Sequence, residues 1–457
     1  MLKSYPNVLD LGFDFNPVKP AYWTSLPHHR RTPFAVTVDG SVGYLAYLDG
    51  SETDVHVIQI NTTSFTAIGK PVTIAGAKEA GGLIAHSDGF ALLTNINETN
   101  SGTDYPIPAL VRYQNGKEAW RTWLGGPDVD TSFGAAASPD LNGDLVYSYN
   151  SSLYGAYFVV TDYTGDAAGH FGDSVKYINL EGKLQDIPEA SAWGCSHNTG
   201  IAFEAASAPP FASICAEDHG AIWLNTDNRG MSLTGVKISG ENTTNGASGE
   251  PMGGMSGSYS SLSKYAHSNA YIFAWATRGC VDLTQDTWMG QGFTQCYPRT
   301  LNHNVAIATF SDKYTLVGKP AISTVGAKDG DSQLNLVTNS TTVDHANVHV
   351  ASFSKNSAVV MWEQVNNPSC TNVAMGCSGE FAGTYFQEVD GSGNKVGATI
   401  SSNSVYVAGD MTLMSYNAQK PKICWPYVDM TWDLSKPLGG GLPTTTVSKM
   451  SFACLEK

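Results

Sequence analysis

Charge is scarce in this chain. Asp, Glu, Lys and Arg make up 15% of its 457 residues, against roughly 25% in an ordinary soluble domain. The balance is acidic, with 26 basic and 41 acidic side chains and a formal net charge of −15. A nucleic-acid partner is excluded, because counterion release needs a basic surface, and a polybasic membrane patch is missing for the same reason. No apolar run approaches the roughly 20 residues of a spanning helix, so no membrane span is expected. The first 194 residues hold no cysteine and no Cys-x-x-Cys pair occurs anywhere, which removes zinc ribbons and thioredoxin-type motifs. Walker, Rossmann, Gly-x-Ser-x-Gly and His-Glu-x-x-His patterns are absent too, so no nucleotide, hydrolase-elbow or zincin chemistry can be read from a motif.

What is present is glycine (47), aromatic residues (11%) and a 42% apolar content. That excludes disorder and suits an all-β chain with many tight turns. Eight cysteines, at 195, 215, 280, 296, 370, 377, 424 and 454, fall in local pairs. Asn-x-Ser/Thr sequons occur at Asn61, Asn97, Asn150, Asn242 and Asn339. Together these favour an extracellular, secreted glycoprotein. The opening Met-Leu-Lys-Ser-Tyr-Pro lacks an apolar stretch and is not a signal peptide, so the expectation is that a natural signal has been removed.

A hairpin recurs seven times: 34–48, 83–95, 135–150, 194–206, 264–276, 349–363 and 411–425. Its turns centre on Gly40, Gly89, Gly143, Gly200, Asn269, Asn356 and Asn417. Gly and Asn enter the positive-φ region at little cost, which hairpin turns require. A second hairpin follows most copies, clearest at 55–74, 304–323 and 384–400. Two hairpins make a four-stranded unit whose faces need neighbours, so seven copies predict a single seven-bladed β-propeller spanning residues 1–457. Two β-sandwiches are the weaker alternative, since no linker divides the chain. The strands 8–15 and 444–455 are expected to complete one blade together and close the ring, with the chain a monomer. Sequential bridges 195–215, 280–296, 370–377 and 424–454 are expected from locality within blades, out of 105 possible connectivities.

This architecture resembles the secreted seven-bladed propellers of the integrin-like and fungal lectin-like kinds. Phe133–Asp144 (FGAAASPDLNGD) further resembles the FG-GAP calcium repeat. That resemblance implies calcium as a possible cofactor, with Asp140, Asn142 and Asp144 as its oxygen donors. The alternative for the same residues is a plain Asn-Gly hairpin turn.

Four insertions, 151–174, 207–220, 277–303 and 366–383, are assigned between second and third strands of consecutive blades, so they should rise on one face. Loops of such length are usually functional or disordered, and local bridges argue for order. Candidate catalytic groups there are His170 flanked by Asp166 and Asp173, with His303 and His345 as further imidazoles for acid–base work. Candidate binding groups are Arg30, Arg31, Arg278 and Arg299 for anionic groups, Trp193 and Trp288 for stacking on sugar rings, and Asp218 with His219. For each, a bland reading competes: a self-capping loop, rim packing or a solvated link. Three functions follow. The first is a propeller that binds a glycan or small ligand at one asymmetric face. The second is a glycan lyase or hydrolase on that face, and the third a protein-interaction scaffold. Because the insertions differ between blades, a single unique site is favoured over one site per blade.

Overall fold

Several strands are apolar at successive rather than alternate positions. Gly43–Leu48 is buried at every residue, as are Gly89–Ile96 and Tyr271–Thr277. A strand reads this way when its sheet is covered on both faces. The computed structural model shows what covers them. It describes residues 1–20, 27–97, 105–129, 143–161, 171–188, 190, 200–217, 221–227, 235–241, 261–285, 294–370, 377–414, 420–429 and 446–457.

Seven antiparallel sheets form the blades of a propeller. In order from the axis, the first holds Phe34–Val36, Gly43–Leu48, Asp54–Ile60 and Ala67–Ala75. The second holds Ala77–His86, Gly89–Ile96, Ile107–Gln114 and Lys117–Trp123. The third runs Gly143–Ser148, Leu153–Thr161, Phe171–Asn179 and Leu184–Gln185. The fourth runs Ile201–Glu204, Ala212–Glu217, Ala221–Leu224 and Val236–Ser239. Leu262–Lys264, Tyr271–Thr277, Asn304–Asp312 and Thr315–Leu316 make the fifth. Asp344–Ser354, Ser357–Ser369, Ser378–Asp390 and Lys395–Ser402 make the sixth. The seventh joins both chain ends: Thr412–Met414, Lys422–Tyr427 and Val447–Glu456 are followed outward by Leu2–Phe15. The expected closure is thus found.

The core is divided as the ring demands. Among the described residues, seven apolar clusters each lie between two successive blades, and a small eighth, around Cys280, Leu283 and Cys296, belongs to the fifth blade's insertion. Alternate residues of one strand serve opposite neighbours. On the first blade, Tyr44, Ala46 and Leu48 face the second blade, while Leu45 and Tyr47 face the seventh. Near the axis this packing leaves no room at Gly82. A Cβ there would meet Leu145 Cβ of the next blade at 2.7 Å and its backbone nitrogen at 2.9 Å. Gly82→Ala is therefore expected to cost about 1–3 kcal/mol through forced separation of the two inner strands. A urea melt with an unchanged midpoint would rule this out.

Three expected bridges are present: Cys280–Cys296, Cys370–Cys377 and Cys424–Cys454. Cys215 is also disulfide-bonded, but its expected mate, Cys195, lies outside the described residues.

Two blades differ from the sequence reading by one strand. In the third, Gly143 does not turn a hairpin. It begins the innermost strand, and the first turn falls at 149–152, where Ser152 carries a φ of 54°. In the fourth, Ile201–Glu204 is likewise the innermost strand. The segment 151–174 is consequently not one long insertion, because it contains Leu153–Thr161 and the start of Phe171–Asn179. Segment 207–220 similarly contains Ala212–Glu217. The insertion at 277–303 does join a second to a third strand and carries its own hairpin, Val281–Gln285 with Thr294–Tyr297. Segment 366–383 lies at the same junction of the sixth blade, largely as extensions of its strands.

Candidate functional site: an acidic pocket on the propeller axis

The first strand of every blade faces the axis, where a cavity of about 290 Å³ is lined by residues from all seven. They include Phe34, Leu83, Asp144, Phe203, Leu262, Val350 and Thr412. Most of the lining residues are apolar, so the four charged ones, Arg31, Asp144, Glu204 and Asp410, stand out.

Arg31 belongs to the link between the N-terminal strand and the first blade. That link is fixed by Thr32, which bridges to Gly409 and donates its backbone N–H to Ala408 O at 3.1 Å. So placed, the guanidinium spans three blades. Nε and Nη2 donate to the two oxygens of Asp410 at 2.9 and 3.1 Å. Nη1 donates to Gly81 O at 2.6 Å and to Gly143 O, and Nη2 lies 3.6 Å from Asp144 Oδ1. Asp144 also accepts the Phe203 N–H at 3.2 Å. Burial pushes its carboxyl up to about 7; Arg31 opposes the shift, while the negative charges of Asp410 and Glu204 support it. Glu204 accepts N–H groups of Ala205 and Lys264 at 2.7 and 3.2 Å, and burial raises its carboxyl as well.

Exposure gives the direction of the mouth. Arg31 and Asp144 are 8% and 7% exposed, whereas Val38 and Tyr149 are 62% and 56% exposed. Both of the latter sit in first-hairpin turns. Among the described residues the pocket thus opens on the face of the short hairpin turns and ends at the Arg31–Asp410 pair. Loops between second and third strands, and links between blades, open on the opposite face. The sequence placed the working surface there; short turns leave the axis uncovered on the other side.

The remaining candidates separate into groups. His170, Asp166, Trp193, Asp218, His219, Trp288, Asp140 and Asn142 lie outside the described residues. Asp144, read as a calcium donor with the last two, lines the axial pocket beside Arg31 and accepts the Phe203 N–H. Asp173 is fully buried in the third blade and accepts the Tyr157 hydroxyl. Arg30 is a clamp: Nη1 reaches Glu79 at 3.2 Å, Nη2 reaches Glu52 at 2.8 Å and Nε donates to Asn16 O at 3.0 Å. The carboxylates expected to meet Arg30 and Arg31 from a ligand are supplied by the protein itself. Arg299 pairs with Asp329 and Asp331 and holds the 277–303 insertion to the segment behind it.

Arg278, His303 and His345 are brought together, although away from the axis. His303 Nδ1 donates to Asp344 Oδ1 at 2.9 Å, and His345 Nδ1 donates to His303 O at 2.8 Å. All three, with Asp344, are buried. Burial lowers the His345 imidazole below its usual range, favouring its neutral form. Glu204 and Asp410 were missed by sequence reasoning. The available signal was a charged residue at or beside a first strand, but Lys78, Glu79, Lys264 and Asp344 stand on first strands too. That signal needs the correct strand register in every blade.

No family model matches the sequence, and no curated protein does. Among solved structures, the chain is similar to the Penicillium chrysogenum α-L-arabinanase complexed with arabinobiose, at 7% identity and a TM-score of 0.40, covering 97% of this chain and 98% of that one. It is similar to BamB from Moraxella catarrhalis at 8% identity and a TM-score of 0.38, covering 99% and 97%. An α-L-arabinofuranosidase from Clostridium thermocellum matches at 12% identity and a TM-score of 0.22, over 35% of this chain and 52%, about half, of that one. Likeness at this level concerns the propeller fold alone.

Proposed function

We propose that the protein is a secreted propeller that binds one neutral sugar in the axial pocket, entered from the hairpin-turn face. The carrying observation is the pocket's charge pattern. Its single cation among the described lining residues, Arg31, is engaged by Asp410 in a bidentate pair, while three carboxyl groups face the cavity. An anionic ligand such as a uronate would meet no uncommitted cation, which speaks against the lyase reading. A polyhydroxylated neutral ligand can donate hydroxyls to the carboxylates. Its C–H face can lie on Tyr149, at the mouth. The volume sits at the small end of ligand cavities, about 300–1,000 Å³, and suits one ring rather than a long polymer. Local disulfides suit an oxidising compartment.

The test is saturation-transfer NMR and calorimetry on a panel of neutral and acidic monosaccharides and disaccharides. Neutral sugars are expected to bind, with Tyr149→Ala and Asp144→Asn each weakening affinity about tenfold, or about 1.4 kcal/mol. Preference for acidic sugars, or affinity untouched by both substitutions, would overturn the reading.

A hydrolase reading rests on Asp144 specifically. A carboxyl held near 7 beside a second, arginine-paired carboxylate is the arrangement of a general acid and its partner. Turnover of chromogenic glycosides would then fall on a limb near pH 7 and vanish in Asp144→Asn. Binding without turnover leaves the binding function alone.

Asp144 also shapes stability. Its folded-state value lies above the unfolded one near 3.9, so between about pH 4 and pH 7 the native state holds the extra proton. Stability is therefore expected to fall as pH rises through that window, by on the order of 4 kcal/mol. Asp144→Asn should flatten this slope in urea melts taken across the range; an identical slope in the variant would remove Asp144 as its source.

A further inference from the structure

A second cluster, unconnected with the axial pocket, lies on the face of the loops where the fifth and sixth blades meet. A ring nitrogen of His303, a carboxylate oxygen of Asp344 and Cys377 Sγ lie within 4.8 Å of one another, and all three residues are buried. Each is positioned by the end of a strand. His303 precedes the fifth blade's third strand, Asp344 begins the sixth blade's first, and Cys377 precedes the sixth blade's third. Cys370, at the end of the sixth blade's second strand, is bonded to Cys377. Asp344 Oδ1 receives both the backbone N–H of His303, at 2.6 Å, and its Nδ1–H. Nδ1 and Oδ1 lie 2.9 Å apart, so a cation shared by them would take the place of the proton between them, and that proton would move to Nε2, which has no hydrogen-bond partner among the described residues. Arg278 Nη2 lies 4.0 Å from Cys377 Sγ.

A bonded sulfur pair offers no thiolate, so the oxidised protein presents an incomplete donor set. We propose that reduction of Cys370–Cys377 completes it, making a buried site for zinc or a similar thiophilic divalent cation from Cys370, Cys377, His303 and Asp344. Two sulfurs, one nitrogen and one oxygen form a donor set of the kind zinc takes in tetrahedral sites. The reduction balances with a phosphine. The phosphine gives two electrons to the S–S bond and takes the oxygen of one water, and the two protons of that water end on the sulfurs. The cation then displaces those two protons. Charge balances as well: two thiolates and Asp344 bring three negative charges, against two from the metal and one from Arg278. The same loop is tied by a covalent bridge when oxidised and by a metal when reduced, so an oxidant expels the ion.

The experiment treats the full chain with a phosphine, removes the reagent without oxygen, and titrates with cobalt(II) and then zinc. It reads metal per chain and the thiolate-to-cobalt charge-transfer band. The oxidised chain should take no metal with this band, and the reduced chain about one equivalent. Cys280–Cys296 and Cys424–Cys454 are reduced in the same step, so a Cys370→Ser/Cys377→Ser chain treated identically subtracts whatever they bind. His303→Ala should weaken cobalt binding at least tenfold and change the band, and His303→Gln provides a second variant if the first fails to fold. Asp344→Asn should weaken binding about 10–100-fold. Reduced wild type taking no more metal than the double serine chain would overturn the proposal. So would unchanged affinity and spectrum in a folded His303 variant.

Discussion

Removal of residues 1–15 is expected to abolish cooperative folding. Leu2–Phe15 is the outermost strand of the seventh blade, paired along Val447–Glu456 from Leu2 opposite Leu455 to Phe15 opposite Val447. It also crosses to the first blade. Phe15 bridges to Asp49, Asp14 O accepts the Gly50 N–H at 2.6 Å, and Leu11 O accepts the buried Tyr47 hydroxyl. Leu9, Leu11 and Phe15 are at most 1% exposed, in the cluster that seals the seventh blade to the first. At about 1.5–3 kcal/mol for each fully buried side chain, their loss costs about 5–9 kcal/mol. Net stabilities are only about 5–15 kcal/mol. The truncated chain would also expose Val447–Glu456 as a bare edge, a template for pairing with other chains. Calorimetry should show no single transition, and size-exclusion chromatography should show oligomers. Peptide 1–15 supplied in trans should partly restore both properties. A monomeric truncated chain that melts at the wild-type midpoint would show that the ring closes without its first strand.

The ring was legible in the sequence because its determinants are local. Hairpin turns such as Asp39-Gly40 and Asp88-Gly89 carry their own φ preference, and both glycines occupy positive φ. The bridges Cys280–Cys296, Cys370–Cys377 and Cys424–Cys454 join residues within one blade, so spacing was enough to pair them. The third and fourth blades were misread for the complementary reason. Asn142-Gly143 has the composition of a turn, but Gly143 begins a strand, while the true first turn, Tyr149-Asn150-Ser151-Ser152, contains no glycine. The fourth blade's first turn, 205–211, is built around Pro209-Pro210 instead. With Gly143 at the start of the innermost strand, Asp144 lines the axial pocket.

The pocket itself was hardly legible. Its charged groups stand at positions 31, 144, 204 and 410, and only closure of the ring brings them together. Sequence chemistry gave two of them roles that geometry reassigns. Arg31 was taken as a ligand for an external anion, yet internal carboxylates and carbonyls occupy it. The imidazoles fared differently. His303 and His345 were selected separately, and the fold does place them together, but in a buried cluster with Asp344 and Arg278 rather than on an open surface.

Replacement of Arg31 by methionine carries the second large effect. The side chain keeps roughly the apolar stem and loses the guanidinium, which leaves Asp410 without its bidentate partner and Asp144 without its nearest cation. Gly81 O and Gly143 O lose a shared donor. Removing one member of a buried pair costs about 3–5 kcal/mol, because the remaining charge is left uncompensated. The sign of the rescue follows from that cause. Arg31→Met should be least stable at high pH and recover as acid protonates Asp144, whose carboxyl burial pushes up. Arg31→Met/Asp410→Asn should recover part of the loss at neutral pH, since the orphaned charge is gone. A simple packing defect would instead give a loss independent of pH and additive with Asp410→Asn. Urea melts of the four chains between pH 5 and pH 8, combined as a double-mutant cycle, separate the two. A coupling energy near zero would mean that the Arg31–Asp410 pair does not hold the first, second, third and seventh blades together at the axis.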